Sequence, residues 1–117
     1  MLKEYARHHR TGEPIPDEMI AKIQRAETFN QGYQNVSMVA TSLLDLDWHT
    51  LEEPAPVDAA AFEKASFERM KLPRAIPSGH RTPIFYHVFN GGYAAGYYSY
   101  LWCEVLDADA FEAFKEK

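Results

Sequence analysis

A single cysteine, Cys103, excludes an internal disulfide and leaves at most one thiolate for metal binding, as suits a reducing compartment. Basic residues are scarce as well: 12 Lys and Arg against 17 Asp and Glu give a formal net charge of -5 and a pI of about 5.5. That balance offers no footprint for nucleic acid or for an anionic membrane surface. No apolar run approaches the length of a membrane span, and the opening Met-Leu-Lys-Glu-Tyr-Ala-Arg-His-His-Arg lacks the apolar stretch of a signal peptide. The expectation is a cytoplasmic protein with neither nucleic acid nor a membrane as partner. Internal repeats, low-complexity tracts and β-hairpin signals are missing too. The Thr-Gly-Glu-Pro-Ile-Pro stretch at residues 11–16 is no phosphate loop, having one glycine and no lysine.

What is present reads as helix. At 117 residues, 46% hydrophobic and 25% charged, the chain has the length and composition of one globular domain, here residues 1–117. Leu2, Tyr5 and Ala6 share a face, and His8, His9 and Arg10 stand where cations suit a helix C-terminus, so residues 1–8 read as the tail of a helix. Gly12, Pro14 and Pro16 force a turn. A second helix starts near Pro16 or Asp17, with Met19, Ile20, Ile23, Ala26 and Phe29 at spacings of three and four, and ends near Gly32. A third runs from about Tyr33 to Trp48, with Val36, Val39, Ala40, Leu43 and Leu44 on its apolar face. The prolines at 54 and 56 stop it, and residues 58–70 form a fourth helix with an acidic first turn. Residues 71–82 read as a loop, and a last helix begins near Gly92 or Tyr93 and runs to the end, bent near Asp107 or Asp109. The fold class is all-α, a helical bundle.

From Tyr93 to Leu106 only Ser99 and Glu104 are neither apolar, aromatic nor glycine, so apolar groups cover every side of that last helix. Such a helix belongs in an interior. A chain this short has little interior to give, so the expectation is a piece of a larger domain, with exposed apolar faces or an oligomer interface as the visible result.

Between Phe85 and Trp102 the chain reads Phe-Tyr-His-Val-Phe-Asn-Gly-Gly-Tyr-Ala-Ala-Gly-Tyr-Tyr-Ser-Tyr-Leu-Trp and holds five of its seven tyrosines. Tyr93, Tyr97 and Tyr100 are spaced i, i+4, i+7, which puts them on one face of a helix, with Tyr98 turned away. Gly91 and Gly92 permit positive φ and close approach of a ligand to the backbone, while Gly96 costs about 1 kcal/mol relative to Ala in a helix and removes bulk between the phenols. His87 can fold back across the glycine turn. Two readings stay open from these residues: ordinary core aromatics, or donors aimed at a substrate oxygen that gains charge. No nucleophile or base stands beside them. Metal ligation within the chain fails on spacing, because His8 and His9 are adjacent and His49, His80 and His87 lack a partner at i+3 or i+4. Cys103 reads as buried in the apolar helix, and the pairs Asp45/Asp47 and Glu52/Glu53 read as solvated charges at helix ends.

The run from His87 through Tyr93, Tyr97 and Tyr100 to Trp102 resembles the C-terminal substrate-binding motif of the M3 (thimet oligopeptidase) family of zinc metallopeptidases. Tyr5-Ala-Arg-His-His-Arg-Thr-Gly-Glu-Pro-Ile-Pro16 and Ala26-Glu-Thr-Phe-Asn-Gln-Gly32 are similar to that family too, so the resemblance spans nearly the whole chain. The six-residue step from His87 to Tyr93 is most like the bacterial peptidyl-dipeptidase branch, with the oligopeptidases as the alternative subfamily.

The resemblance implies a zinc enzyme that hydrolyses short peptides, releasing C-terminal dipeptides, with the metal held by a His-Glu-x-x-His helix and a further Glu that lie before residue 1. Tyr100 and His87 would then be catalytic, Tyr100 donating to the scissile carbonyl oxygen. Tyr93, Tyr97, Gly91 and Gly92 would bind the peptide, and no metal ligand would come from this chain. Its partners would be short peptides and the remainder of the catalytic domain, and alone it would be inactive. The rival reading is a stand-alone helical module that holds a peptide or small ligand without chemistry.

Overall fold

The computed structural model describes residues 2–53 and 58–115, which fall into two compact units divided between Gly32 and Tyr33. The described residues are mostly helical and contain no strand, in keeping with an all-α chain.

In the first unit, the helix tail expected over residues 1–8 is a single turn, α1 (Leu2–Tyr5). Gly12, at φ 73°, reverses the chain so that the His8 amide donates to Glu13 O at 2.8 Å and the Ile15 amide to Ala6 O at 2.9 Å. This gives one isolated antiparallel bridge between Arg7 and Pro14. Helix α2 (Asp17–Glu27) follows Pro16, whose fixed φ suits a helix start, and the Asp17 carboxylate pairs with Lys3 at 2.5 Å. It ends short of Gly32 because Asn30 takes the left-handed region at φ 61°, which Asn tolerates better than most residues.

The second unit is organised by α3 (Gln31–His49), two residues longer at its start than the apolar pattern marks. Its buried side chains are Ala40, Thr41, Ser42, Leu44 and Asp45. Of the apolar face expected to be covered, Val36, Val39 and Leu43 keep 40%, 42% and 41% of their surface exposed. The reason is hydrogen bonding. Thr41 Oγ1 accepts from the Gly79 amide at 3.0 Å, Ser37 Oγ donates to Pro77 O at 2.9 Å, and both tie the connecting loop over residues 71–81 to this helix.

Residues 54–57, where a proline stop is expected, lie outside the described residues. Helix α4 (Ala59–Arg69) is capped by Asp58, which accepts from the amides of Ala60 at 2.9 Å and Ala61 at 3.2 Å. Glu63 is buried on α4 and holds the entry to the aromatic segment: Oε2 accepts from the Thr82 amide at 2.6 Å, and Oε1 pairs with Arg81. A 3-10 turn (Thr82–Ile84) and a short helix, α5 (Tyr86–Phe89), then carry Phe85 and Val88 into a core completed by Tyr97, with Met38 and Tyr100 packed against it. The sequence pattern gives no sign of α5.

The last helix, α6 (Ser99–Lys115), does not start at Gly92 or Tyr93. Gly92 and Ala95 have φ of 83° and 53°, and the Ala95 and Tyr97 amides go to the Asp45 carboxylate, which leaves no helical register before Ser99. It continues through Asp107 and Asp109 without interruption. None of its described residues is buried: Trp102, Val105, Leu106, Phe111 and Phe114 are each more than half exposed, and Cys103 is exposed where the sequence pattern implies burial.

Candidate functional site

The tyrosines meet by loop geometry and not by helical spacing. Tyr93 and Tyr97 precede α6, in a run of turns closed by hydrogen bonds from the Gly96 amide to Tyr93 O at 2.8 Å and from the Ser99 amide to Gly96 O at 3.0 Å. The reversal stacks Tyr93 on Tyr100, with ring centroids 5.6 Å apart and 15° between planes, and sets Tyr97 against Tyr100 at 4.9 Å. Tyr98 is half-exposed and makes none of these ring contacts.

Gly91 is required by space. A Cβ there would lie 2.7 Å from His87 O and 2.8 Å from His87 Cα, so the chain can fold back over α5 only without a side chain at this position. Gly92 is required by conformation, since L residues other than Asn and Asp seldom adopt its positive φ. Together they bring His87 under the phenols: its ring centroid is 6.2 Å from that of Tyr93 and 6.0 Å from that of Tyr97. His87 Nδ1 is buried and has no hydrogen-bond partner among the described residues. An unpaired ring nitrogen at such a place is costly unless a bound group pairs with it.

Tyr97 is the buried member, and its hydroxyl lies 3.0 Å from His80 Nε2. His80 stacks on Phe85 at 4.9 Å and 14°, and its ring is 5.3 Å from that of His87. Burial, and then the charge of His87, hold the His80 pKa below the usual histidine value, so the ring favours its neutral form. Burial raises the Tyr97 phenol. Tyr100 is raised too, first by hydrogen bonding with the Tyr93 side chain, then by burial and by the nearby Tyr93, Tyr97 and Cys103. An ordinary phenol is already protonated at neutral pH and upward shifts leave it so, a donor of the kind an oxygen acquiring negative charge needs.

Two participants carry no obvious mark in the sequence. His80 lies in the unpatterned loop and has no helical partner, so only its position in space reveals it. Asp45 reads in the sequence as a solvated helix-end charge, yet its side chain is fully buried: Oδ1 accepts from the Ala95 amide at 3.0 Å and Oδ2 from the Tyr97 amide at 2.9 Å. His49 Nδ1 donates to Asp45 O at 2.8 Å and also stands 2.8 Å from Asp45 Oδ1. One signal does exist, because Ser37, Thr41 and Asp45 form an i, i+4, i+8 polar row on a helix otherwise read by its apolar residues. Asp47 does stand nearer solvent, accepting from Ser66 Oγ at 2.5 Å and pairing with Arg69.

Among the described residues no three His, Cys, Asp or Glu side chains come together as a metal site. No helix among them is long and apolar enough to cross a membrane.

Comparison with known proteins matches the sequence pattern of Peptidase family M3 over residues 1–117. The chain is 45% identical over 120 residues to a dipeptidyl carboxypeptidase of Escherichia coli (strain K12) and 40% identical over 120 residues to one of Salmonella typhimurium. Each alignment takes in 100% of this chain and 18% of the relative. An oligopeptidase A of Escherichia coli is 39% identical over 113 residues, covering 94% of this chain and 16% of that protein. The chain thus spans less than a fifth of the length of these relatives.

Proposed function

Since the chain belongs to peptidase family M3, we propose that it forms the substrate-binding wall of a peptidase active site, donating hydrogen bonds to a scissile peptide as its carbonyl oxygen gains charge. The observation that carries this reading is the unpaired, buried Nδ1 of His87 beside the stacked pair Tyr93 and Tyr100. Tyr100 is the donor to the scissile carbonyl and His87 its companion at the transition state. Tyr93 and Tyr97 bind the peptide, and Gly91 and Gly92 let the loop close over its backbone. Both packed units belong to one catalytic domain, and the substrates are short peptides in the cytoplasm. Release of C-terminal dipeptides is favoured over internal cleavage by the higher identity to the dipeptidyl carboxypeptidases.

The sequence holds no His-Glu-x-x-His, and the proposal includes zinc as a resident of the complete enzyme, held by residues outside this chain. On this proposal the chain alone is inactive. A chelator-sensitive peptidase activity from the isolated chain would overturn that part.

The test of the donor is Tyr100→Phe in the complete peptidase. Loss of one such hydrogen bond is expected to lower kcat about 100- to 1,000-fold with KM little changed, because the bond strengthens only as charge develops. Steady-state kinetics on a short peptide measures both. Equal kcat for the two proteins would remove Tyr100 from the mechanism.

A further inference from the structure

The segment between Gly91 and Ser99 has no regular secondary structure, yet it must hold three phenols at fixed places. Its least comfortable residue is Ala95, an L residue at φ 53°, in the left-handed region that an L side chain disfavours. Something must compensate. The two amides that flank Gly96, those of Ala95 and Tyr97, point to the two oxygens of one carboxylate, Asp45, at 3.0 and 2.9 Å. That carboxylate lies 50 residues away in sequence from Ala95 and is fully buried. A buried carboxylate needs hydrogen-bond donors, and here the loop backbone supplies two, with His49 Nδ1 2.8 Å from Oδ1. Among the described residues, the Asp45 carboxylate's hydrogen bonds go to loop amides and to no phenol hydroxyl. It fixes the peptide units on either side of Gly96, and so the distance between Tyr93, before the reversal, and Tyr97 and Tyr100, after it.

We propose that Asp45 is a positioning residue for the peptidase reaction: by clamping the Ala95 and Tyr97 amides it holds the Tyr93, Tyr97 and Tyr100 phenols in the arrangement that meets the substrate carbonyl. This rests on the reading that Tyr100 serves that carbonyl. The geometry demands two acceptors on one short side chain. Asparagine offers one oxygen and sets an NH2 donor against the other amide, so Asp45→Asn keeps size and breaks half of the clamp. Misplacing a donor by about 1 Å is enough to cost about 100-fold in rate, while peptide contacts made elsewhere survive.

The experiment is a double-mutant cycle in the complete peptidase. Asp45→Asn is expected to lower kcat about 10- to 100-fold with KM little changed. In a Tyr100→Phe background the same substitution should cost far less, because the donor it positions is already gone. If the two losses multiply, Asp45 supports the structure without acting through Tyr100, and the inference is overturned while the proposed function stands. A Tyr100→Phe variant with unaltered kcat overturns the proposed function and this inference with it. Should Asp45→Asn not fold, amide hydrogen exchange on the unsubstituted enzyme decides: the Ala95 and Tyr97 amides must be as protected as those of α3, and exchange at the rate of an open loop overturns the clamp.

Discussion

Helices α3 and α6 invert each other's use of hydropathy. In α3 the residues that leave solvent include Thr41, Ser42 and Asp45, while Val36, Val39 and Leu43 stay half-exposed. In α6 nearly everything through Leu106 is apolar, and no described residue is buried. The difference lies in what each helix has opposite it. The polar row of α3 faces loop backbone whose amides need acceptors: Gly79 for Thr41, and Ala95 and Tyr97 for Asp45. A buried amide left unpaired costs about 1–3 kcal/mol, so burial here follows hydrogen-bond demand. Apolar side chains without an opposing surface gain nothing of the kind, and α6 shows them open.

The largest effect that separates these two modes comes from exchanging shape-matched side chains on α3. Thr41→Val keeps volume but leaves the Gly79 amide without its acceptor and removes the Thr41 contact with the Ser78 hydroxyl, and it should cost about 2 kcal/mol. Val39→Thr makes the opposite change on the exposed side and should stay within about 0.5 kcal/mol. Urea midpoints of the two variants at neutral pH measure the contrast. If Val39→Thr costs as much as Thr41→Val, the exposed face is already part of a core and the comparison fails.

The same contrast explains how much of the fold is legible in the amino-acid sequence. Apolar periodicity locates α2 and α3, since spacing alone determines which side chains share a face, and helix formers after the prolines locate α4, with the end of α2 the least well placed. Asp58 at the head of α4 is legible because a cap acts over two or three residues. Helical spacing brings Tyr93 and Tyr100 together, as the structure does, although by a helix that does not exist at Tyr93. It also starts α6 too early, because the competing acceptor for the amides before Ser99, Asp45, lies 50 residues away from Ala95 in sequence. His80 is hidden for the same reason, its role depending on Tyr97, 17 residues further on. Local patterns report local partners. A hydrogen bond between distant segments leaves only a polar residue in an unexpected place.

A smaller effect tests whether the junction between α3 and the tyrosine loop is as dry as its hydrogen bonds suggest. The His80 pKa is lowered from 6.5 by burial and by His87, so below that value the unfolded chain takes up a proton more readily than the folded one. The contribution of neutral His80 to stability is therefore fully present above about pH 6.5 and is lost as pH falls through and below it. Urea unfolding between about pH 7.5 and 5 should show stability declining toward acid, with a shallower decline in His80→Gln. A slope that His80→Gln leaves unchanged would assign the proton to another group.

The smallest effect is expected on α6, and its smallness is the point. Trp102 is 61% exposed, so in the isolated chain Trp102→Ser should change stability by no more than about 0.5 kcal/mol. What it should reduce is the binding of a hydrophobic dye and any concentration-dependent association, both of which report open apolar surface. If α6 packs against the remainder of a catalytic domain, the same substitution in the complete enzyme removes a large buried aromatic, and the loss there should be several times greater. Equal, small losses in both settings would mean that α6 finds no partner in the complete enzyme. Its apolar surface would then need a different explanation from the one that α3 supplies by contrast.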